Sequence, residues 1–416
     1  MLLYWIWFAV LKELSAMQKR LLLEHFSDPE EIYCAQEPAL SCVEGLEPQT
    51  VQLLKDKDLT EAQRILETCE QKQIKILTYG DGAYPRRLRY IHEPPVILYY
   101  KGNLPDFEQT ATVAVVGTRK ATAYGLGTAR KMSRQIAACG ALVVSGAAFG
   151  IDAMAMYGAM EAECPVVGVL GCGVDVIYPK SNRNLFAQVL EKGCLLSEYP
   201  PGTPPLKWNF PRRNRILSGM ANGVLVIEAP KISGALSTAR WALQQGRDVF
   251  VVPGNIDVAA CEGSNALLNE EARAACSGWD VVKEYVPLYP GRLEKKAVPI
   301  HAGDLPEEIP VTQVAQTAAL PIKEKPNIRK NDRKSIDNAE IYPYSGIKDT
   351  LPVLNGEEQA IVACLSSQPR PVDEVIAETG MPAAKVLGML TTLALKGVVV
   401  NHPGKSVSLK QEKPKH

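Results

Sequence analysis

The sequence predicts an α/β protein: a Rossmann-like, doubly wound parallel sheet, preceded by a helical domain and followed by a winged helix. Three observations carry this prediction. Between residues 112 and 285, apolar Val/Ile/Leu runs alternate with glycine-rich turns and helical patterns, which is typical of a parallel sheet covered on both faces. Residues 1–75 show helical periodicity. Residues 353–412 show three helical patterns and then two short strands, as in a winged helix.

Length and charge limit the possible functions. The chain has 416 residues, too many for one ordinary core, so several domains are expected. Its 46 basic and 46 acidic residues balance, so attraction for a polyanion must come from local clusters. The ten cysteines contain no CxxC pair, which indicates core thiols in a reducing, cytoplasmic compartment. Cys172, in a Gly-Cys-Gly turn, is also a candidate nucleophile, although no motif ties a histidine to it.

The first two segments are interpreted as architectural. The opening MLLYWIWFAV is apolar, yet Lys12 and Glu13 follow too soon for a membrane span and no cleavage site is present. We therefore expect a buried helix and no membrane insertion. Residues 76–111 alternate short β-rich runs with Gly and Pro, which predicts a connector that adds edge strands to the next domain.

The central domain, residues 112–285, contains six clear strand patterns. They are TVAVVG, ALVVSG, PVVGVLG, GCLLSEY, GVLVIEA and RDVFVVPG. Helices are predicted from Tyr124 to Cys139, from Ile151 to Ala162 and through SGALSTARWALQQG. Residues 286–352 are rich in proline and charge, which indicates a linker.

The last domain, residues 353–412, is expected to contact protein in preference to DNA. Its second candidate helix, Pro382 to Leu395, has only Lys385 and Lys396 as cations. A helix that grips DNA needs more positive charge than this.

Four strand-to-helix turns are candidates for binding anions, because helix N-termini and glycine-rich turns present backbone N–H groups. They are GTRKATAYG (117–125), SGAAFGID (145–152), LGCGVDVIYPKSN (170–182) and PKISGALSTAR (230–240). The first lacks the GxGxxG fingerprint, and the full Walker pattern GxxxxGK[ST] does not occur in the chain, which argues against dinucleotide binding and NTP hydrolysis. Arg119 in this turn fits either phosphate binding or simple solvent exposure. Lys180, with Asn182 and Arg183, forms a polar cluster able to hold phosphate oxygens.

The stretch WNFPRRNRILSG (208–219) places Arg212, Arg213 and Arg215 within four positions, behind Trp208 and Phe210. One interpretation is a solvated basic turn. The other is a contact with several phosphates, because each guanidinium can make its own bidentate contact. The two aromatic residues could stack on bases or cover a helix edge.

No catalytic set can be assembled from the sequence. The five histidines, at 25, 92, 301, 402 and 416, lie outside the central domain, so neither a His-based triad nor a metal cluster is predicted. We expect no cofactor, no metal and no enzymatic activity. The alternative is a Rossmann-like nucleotide phosphoribohydrolase that uses Glu228 at a strand end, although the PGGxGT signature of that family is absent.

These blocks together resemble the DNA processing protein A family, also called Smf. VVGTRKATAYG, VVSGAAFGIDAMA, LGCGVDVIYPKSN, WNFPRRNRILSGMANGVLVIEA and SGALSTARWALQQGRDVFVVPG occur in that family's order, and the resemblance covers almost the whole chain. It implies an N-terminal SAM-like domain, a Rossmann-like domain that binds single-stranded DNA, and a C-terminal winged helix. It also implies protection of DNA in natural transformation, loading of RecA recombinase and a homodimer.

The resemblance also implies the site. Arg119 and Lys180 occupy DNA-binding positions of the family, and we add Asn182 from the same loop as Lys180. Of the three clustered arginines, Arg212 and Arg213 are predicted to contact DNA, whereas Arg215 is expected to pair with Glu198 or Glu228. The family's pocket-forming blocks contain Gly117, Ser145, Gly146, Arg212, Arg213, Asn214, Arg215, Ser233 and Gly234.

Overall fold

The computed structural model describes residues 1–11, 13–296, 356–381, 383–395, 398–402 and 406–409. The chain divides into two units, residues 1–320 and 321–416. Each unit is described by itself. The predicted linker at 286–352 lies outside the described residues from position 297 onwards.

Six short helices form the N-terminal domain. A Ser15–Gln18 capping box starts the second helix, and Asp28 caps the third ahead of Pro29, as expected for polar N-caps. Trp7 and Phe8 of the first helix are fully buried, which confirms that the apolar opening is a core helix. The helices are α1 (Leu2–Val10), α2 (Ala16–His25), α3 (Pro29–Cys34), α4 (Glu37–Ser41), α5 (Pro48–Leu54) and α6 (Thr60–Gln71).

The connector supplies two strands, β1 (Lys75–Thr78) and β2 (Ile97–Gly102), with α7 (Arg86–Arg89) between them. The two strands pair antiparallel, and β2 also pairs antiparallel with a strand of the central domain. The segment therefore extends the sheet, as its sequence predicts.

The central domain is a doubly wound sheet. Its elements are β3 (Thr112–Val116), α8 (Ala123–Ala138), β4 (Leu142–Ser145), α9 (Ile151–Glu161), β5 (Val166–Leu170), α10 (Arg183–Lys192), β6 (Cys194–Ser197), α11 (Asn209–Met220), β7 (Gly223–Val226), α12 (Gly234–Gln244), β8 (Asp248–Val251), α13 (Glu262–Leu267), β9 (Arg273–Ala274) and α14 (Gly278–Val282). Short 3-10 helices cover Lys180–Asn182, Ala259–Cys261 and Lys283–Leu288.

The strand order is β1-β2-β6-β5-β4-β3-β7-β8-β9, and every pair from β6 to β9 is parallel. Val113 and Val115 face a core with α8 and α9, whereas Ala114 and Val116 face a core with α11 and α12. Helices thus cover both faces, as predicted. The chain winds from β3 towards β6 and then returns to β7 on the other side, so the switch point of the topology lies between β3 and β7.

The packed domain extends beyond the predicted boundary at residue 285. Tyr289 and Leu293 are buried in the core beside α8, and the Glu294 N–H donates to the Cys139 carbonyl at 3.1 Å. A linker that starts at 286 is therefore placed too early. Proline-rich composition is also compatible with a segment that packs on a domain surface without regular structure.

The described residues of the second unit form three helices and a small antiparallel sheet. Val375 and Leu390 lie in its own apolar core, and Gly380 ends α16 in the left-handed conformation with a φ of 63°, which suits glycine. The short strand β10 was not predicted. The elements are α15 (Gly356–Ala363), β10 (Arg370–Pro371), α16 (Val372–Thr379), α17 (Ala383–Leu395), β11 (Val399–His402) and β12 (Ser406–Leu409), with sheet order β10-β12-β11.

Candidate nucleic-acid interface

A cleft of about 310 Å³ opens at the switch point, at the carboxyl ends of β3 and β7. Ligands bind at this place in open α/β sheets because the strand-to-helix turns converge there. A smaller pocket adjoins it and shares Arg119 and Phe210 with it. Of the sequence-predicted residues, the cleft is lined by Gly117, Arg119, Arg213, Asn214, Ser233 and Gly234, and the smaller pocket by Arg119 and Gly146.

The arginine cluster lies on a helix, α11, and not on a solvated basic turn, which was one of the two interpretations of its sequence. Successive residues of a helix point about 100° apart, so the three arginines face different surroundings. Arg212 is exposed to solvent, whereas Arg213 and Arg215 are 4% and 2% exposed. The cluster is therefore not one basic surface.

Arg213 is a structural member of the cleft floor. Its Nη1 donates to the Gly146 carbonyl at 3.0 Å and to the Val169 carbonyl, and thereby links the ends of β4 and β5. Burial lowers the pKa of Arg213 to about 10, although the Asp152 carboxylate acts in the opposite direction. We therefore correct the assignment of Arg213 as a direct phosphate ligand, because the side chain is almost fully buried and its Nη1 already donates to two protein carbonyls.

Arg215 pairs with Glu198 at 2.6 Å and lies 3.8 Å from Glu93. Burial alone would lower the pKa of Arg215, but the Glu198 carboxylate outweighs it, and the pKa is raised. The expected structural pairing of Arg215 is thus present. Its inclusion among the DNA-binding candidates is corrected for the same reason as for Arg213.

Two other predicted residues are exposed cations. Arg119, in the turn after β3, places its guanidinium 5.2 Å from the centre of the Phe210 ring, a cation–π distance. Lys180 starts the 3-10 helix after Pro179 and projects into solvent. Together with Arg212 they are three exposed positive charges, and within the described part of the chain none of them forms a salt bridge.

Two predicted polar residues, Ser145 and Asn182, are buried and hydrogen-bonded within the protein. Ser145 Oγ donates to the Val115 carbonyl at 2.7 Å, so it links two strands. Asn182 Nδ2 donates to the carbonyls of Ala147 and Ala148 at 3.1 and 3.2 Å. These two contacts make Ser145 and Asn182 supports for the turn after β4, which corrects their assignment as DNA ligands.

Asn214 plays a similar supporting role for the turn after β7. Its Nδ2 donates to the Gly234 carbonyl at 3.1 Å and its Oδ1 accepts from Arg213 Nε at 3.3 Å. Ser233 caps α12 by accepting from the Ala235 N–H at 3.3 Å. Gly234 is exposed and no atom stands within 4 Å of where its Cβ would be. The N-terminus of α12 is thus open to the cleft, in the position that suits an anion.

Gly117 and Gly146 are required for close packing. A Cβ on Gly117 would lie 2.5 Å from the Ile151 side chain, and one on Gly146 would lie 2.5 Å from Arg213 Nη2 and Asp152 Oδ2. Burial raises the pKa of Asp152. The two glycines let α9 and the Arg213 guanidinium approach the strand ends, and this approach shapes the cleft.

Aromatic side chains flank the exposed cations. Phe149 is 46% exposed and Trp208 is 70% exposed, while the rings of Tyr178 and Phe210 lie 5.5 Å apart. Phe149 and Tyr178 were missed at the sequence level. The available signal was a large aromatic residue within a glycine-rich turn, where it has no strand or helix face to bury it.

The residues considered for chemistry are committed to the fold. Glu228 is 1% exposed and accepts hydrogen bonds from the Thr122 N–H at 2.9 Å and the Thr122 hydroxyl at 2.5 Å, so it caps α8. Cys172 is buried, and burial raises the pKa of its thiol to about 11. Cys172 lines the smaller pocket, but its raised pKa disfavours the thiolate, and the oxygens of Glu228 are engaged by Thr122, so neither group is prepared to attack a ligand.

Within the described ranges, no helix has both the length and the apolar character needed to span a bilayer. The same ranges contain no group of three or more His, Cys, Asp or Glu side chains placed to hold a metal ion.

Comparisons with known proteins agree with this architecture. The family profile described as DNA recombination-mediator protein A matches residues 75–286, and that described as DprA winged helix domain matches residues 348–405. The chain is 33% identical to Protein Smf of Synechocystis sp. over 410 residues, which cover 96% of this chain and 97% of that protein.

Two further relatives each match part of the chain. Identity to DNA processing protein DprA of Bacillus subtilis is 37% over 221 residues, 53% of this chain and 74% of that protein. The X-ray structure of DNA processing protein A from Streptococcus pneumoniae superposes with a TM-score of 0.59 at 32% identity, over 68% of this chain and 98% of that one.

Proposed function

Because this chain belongs to the DNA recombination-mediator protein A family, we propose that it binds single-stranded DNA along the cleft at the carboxyl ends of β3, β4, β5 and β7. The observation that carries the proposal is the set of exposed cations, Arg119, Lys180 and Arg212, beside exposed aromatic rings. Such a combination suits a flexible strand, whose phosphates meet cations while its bases stack on rings.

The contacts divide into two kinds. Arg119, Lys180 and Arg212 bind phosphates, helped by the open N-terminus of α12 at Gly234. Phe149 and Trp208 offer ring faces to bases. Duplex DNA hides its bases in the stack, so we expect single strands to bind more tightly than duplexes and with little sequence preference.

The relatives from Bacillus subtilis and Streptococcus pneumoniae are named DNA processing proteins. We extend that role to this chain and propose that it acts as a dimer in natural transformation, where it protects incoming strands and loads RecA. For RecA loading, the test is the rate of RecA filament formation on DNA coated with single-strand-binding protein. An unchanged rate on addition of this protein would exclude it.

The central experiment titrates labelled single-stranded and duplex oligonucleotides against the wild type and an Arg119→Glu, Lys180→Glu double variant. We expect the variant to lose about tenfold or more in affinity for the single strand, because two phosphate contacts become repulsive. The matched control is an Arg292→Glu, Lys295→Glu double variant. These exposed cations follow Tyr289 beside the C-terminal end of α8, at the opposite edge of the sheet, and should leave binding nearly unchanged.

Two results would overturn the proposal: equal binding by the wild type and the first variant, or competition by mononucleotides as effective as that by a long strand. The second result would favour the alternative, a nucleotide phosphoribohydrolase. The internal hydrogen bonds of Glu228 weigh against that alternative.

A further inference from the structure

The loop at residues 171–179 follows β5 and carries part of the proposed DNA surface. Tyr178, near the end of this loop, packs against Phe210 of α11. Lys180 is the first residue after the loop. The position of these two side chains therefore depends on what holds the loop. Its start is fixed inside the central domain, where Ser197 Oγ donates to the Cys172 carbonyl at 2.7 Å.

The middle of this loop is held by the N-terminal helical domain. Val174 is 4% exposed and lies in the apolar core formed by α1 to α6. Next to it, Asp175 Oδ2 lies 2.5 Å from Nζ of Lys72, the residue at the end of α6. The two residues are 103 positions apart in the chain, so the contact joins two domains.

The Asp175 carboxylate is well placed to transmit this restraint. Its second oxygen accepts from the Gly202 N–H at 2.8 Å, which ties the loop to the segment that leads into α11. Burial alone would raise the pKa of Asp175, but the hydrogen bond from Lys72 and that from Gly202 outweigh it, and the pKa is lowered. One carboxylate thus connects α6, the loop that bears Tyr178 and the approach to the arginine helix.

We propose that Lys72 and Asp175 are positioning residues through which the N-terminal domain sets the affinity of the cleft for single-stranded DNA. The inference rests on the proposed function of the cleft. In this arrangement the helical domain acts on the strand without contacting it. It does so by keeping Tyr178 packed against Phe210, beside Arg119, and Lys180 in the geometry that binds a phosphate.

The test uses two variants of the full chain, Lys72→Met and Asp175→Asn. Each replaces a charged side chain by a neutral one of similar shape. Asn keeps an oxygen for the Gly202 N–H, so only the bridge is lost. The two variants change net charge in opposite directions. If the Lys72–Asp175 ion pair acts only through its electric field, Asp175→Asn should bind DNA more tightly and Lys72→Met more weakly. If it positions the loop, both should bind about three- to fivefold more weakly, the size expected for a partly exposed pair.

The control is Lys55→Met, which removes a lysine of similar exposure from its ion pair with Glu37 inside the helical domain and should leave DNA affinity unchanged. Thermal unfolding checks that all variants stay folded. Hydrogen exchange at the amides of residues 173–178 gives a second readout, because it should quicken in Lys72→Met and Asp175→Asn but not in Lys55→Met.

The two proposals fail in different ways. If the wild type does not bind single strands, the proposed function is wrong, and loop exchange still tests the positioning. If the wild type binds and both bridge variants bind equally well, or if their affinities move in opposite directions, the positioning inference is overturned.

Discussion

At the scale of single residues, burial decides what each arginine of the cluster does. Three arginines within four positions were visible in the sequence, and the pairing of one with Glu198 could be anticipated from charge. Which arginine faces solvent could not, because that depends on the rotation of α11 about its axis, which packing against α12 and the sheet determines. Arg212 stays in water, whereas Arg213 and Arg215 are enclosed.

The difference in burial predicts that substitution of Arg215 mainly lowers stability, whereas substitution of Arg212 mainly weakens DNA binding. Arg215→Ala should lower the free energy of unfolding by about 3 kcal/mol, since it leaves the Glu198 carboxylate buried without its partner. Arg212→Ala should change it by less than about 0.5 kcal/mol and weaken binding to single strands severalfold. Chemical denaturation and fluorescence titration measure the two effects. Equal stability losses in both variants would refute the division.

Lys19 provides a pH-dependent prediction. Its Nζ donates to the Ala9 carbonyl at 2.9 Å, and burial lowers its pKa to about 8, although the Glu198 carboxylate opposes this. The unfolded chain keeps a lysine pKa near 10.5, so between these values it binds more protons than the folded chain, and stability rises with pH.

From pH 7 to 9.5 the free energy of unfolding of the wild type should therefore gain about 1 kcal/mol relative to Lys19→Met, after allowance for partial exposure. Urea denaturation across this range measures the difference. A constant difference between the two proteins would show that Lys19 titrates normally.

At the scale of elements, strands and long helices were predictable because their patterns are strong. The helix expected from Ile151 to Ala162 is present as Ile151–Glu161. For the stretch WNFPRRNRILSG a solvated basic turn was one of two interpretations, because Pro211 and the four polar residues after it obscure its apolar face, yet it forms α11. Proline is tolerated there because it lies in the first turn, where its missing N–H would have no helical partner.

The turn between β4 and α9 gives a prediction for this scale. Gly146→Ala should destabilise the protein by about 1–3 kcal/mol, because the new methyl group would overlap the Arg213 guanidinium and the Asp152 carboxylate. The control is Gly234→Ala, where the space is open and the N–H is kept. Thermal unfolding distinguishes them, and similar melting temperatures for both variants would contradict the packing argument.

At the scale of the whole molecule, a net charge of zero gives no indication of the local group of exposed cations, Arg119, Lys180 and Arg212. The topology brings the turns after β3, β5 and β7 to one edge of the sheet, and this follows from the parallel pattern in the sequence. The contact between α6 and the loop at 171–179 could not be foreseen, since no sequence rule pairs Lys72 with a residue 103 positions away. The packing of Tyr289 against the core of the central domain could not be foreseen either.

The three exposed cations predict a modest dependence of the affinity for single-stranded DNA on salt concentration. Three phosphate contacts per chain should give a slope of about −2 in a plot of log binding constant against log salt concentration, at about −0.7 per contact for single strands. Arg212→Ala should reduce it to about −1.4. Titrations at several salt concentrations measure the slope. A slope near zero would mean that phosphates are not the main contacts.

The guanidinium of Arg213 gives the floor of the cleft a fixed positive charge. It is stripped of water when the chain folds and is held by carbonyls from two strand ends, so an arriving strand does not have to dehydrate it. Its charge remains in place whether the cleft is full or empty, and the floor needs no rearrangement when the strand arrives. The exposed side chains at the rim can then exchange one phosphate for the next, which would let a strand slide across a surface whose attraction is constant.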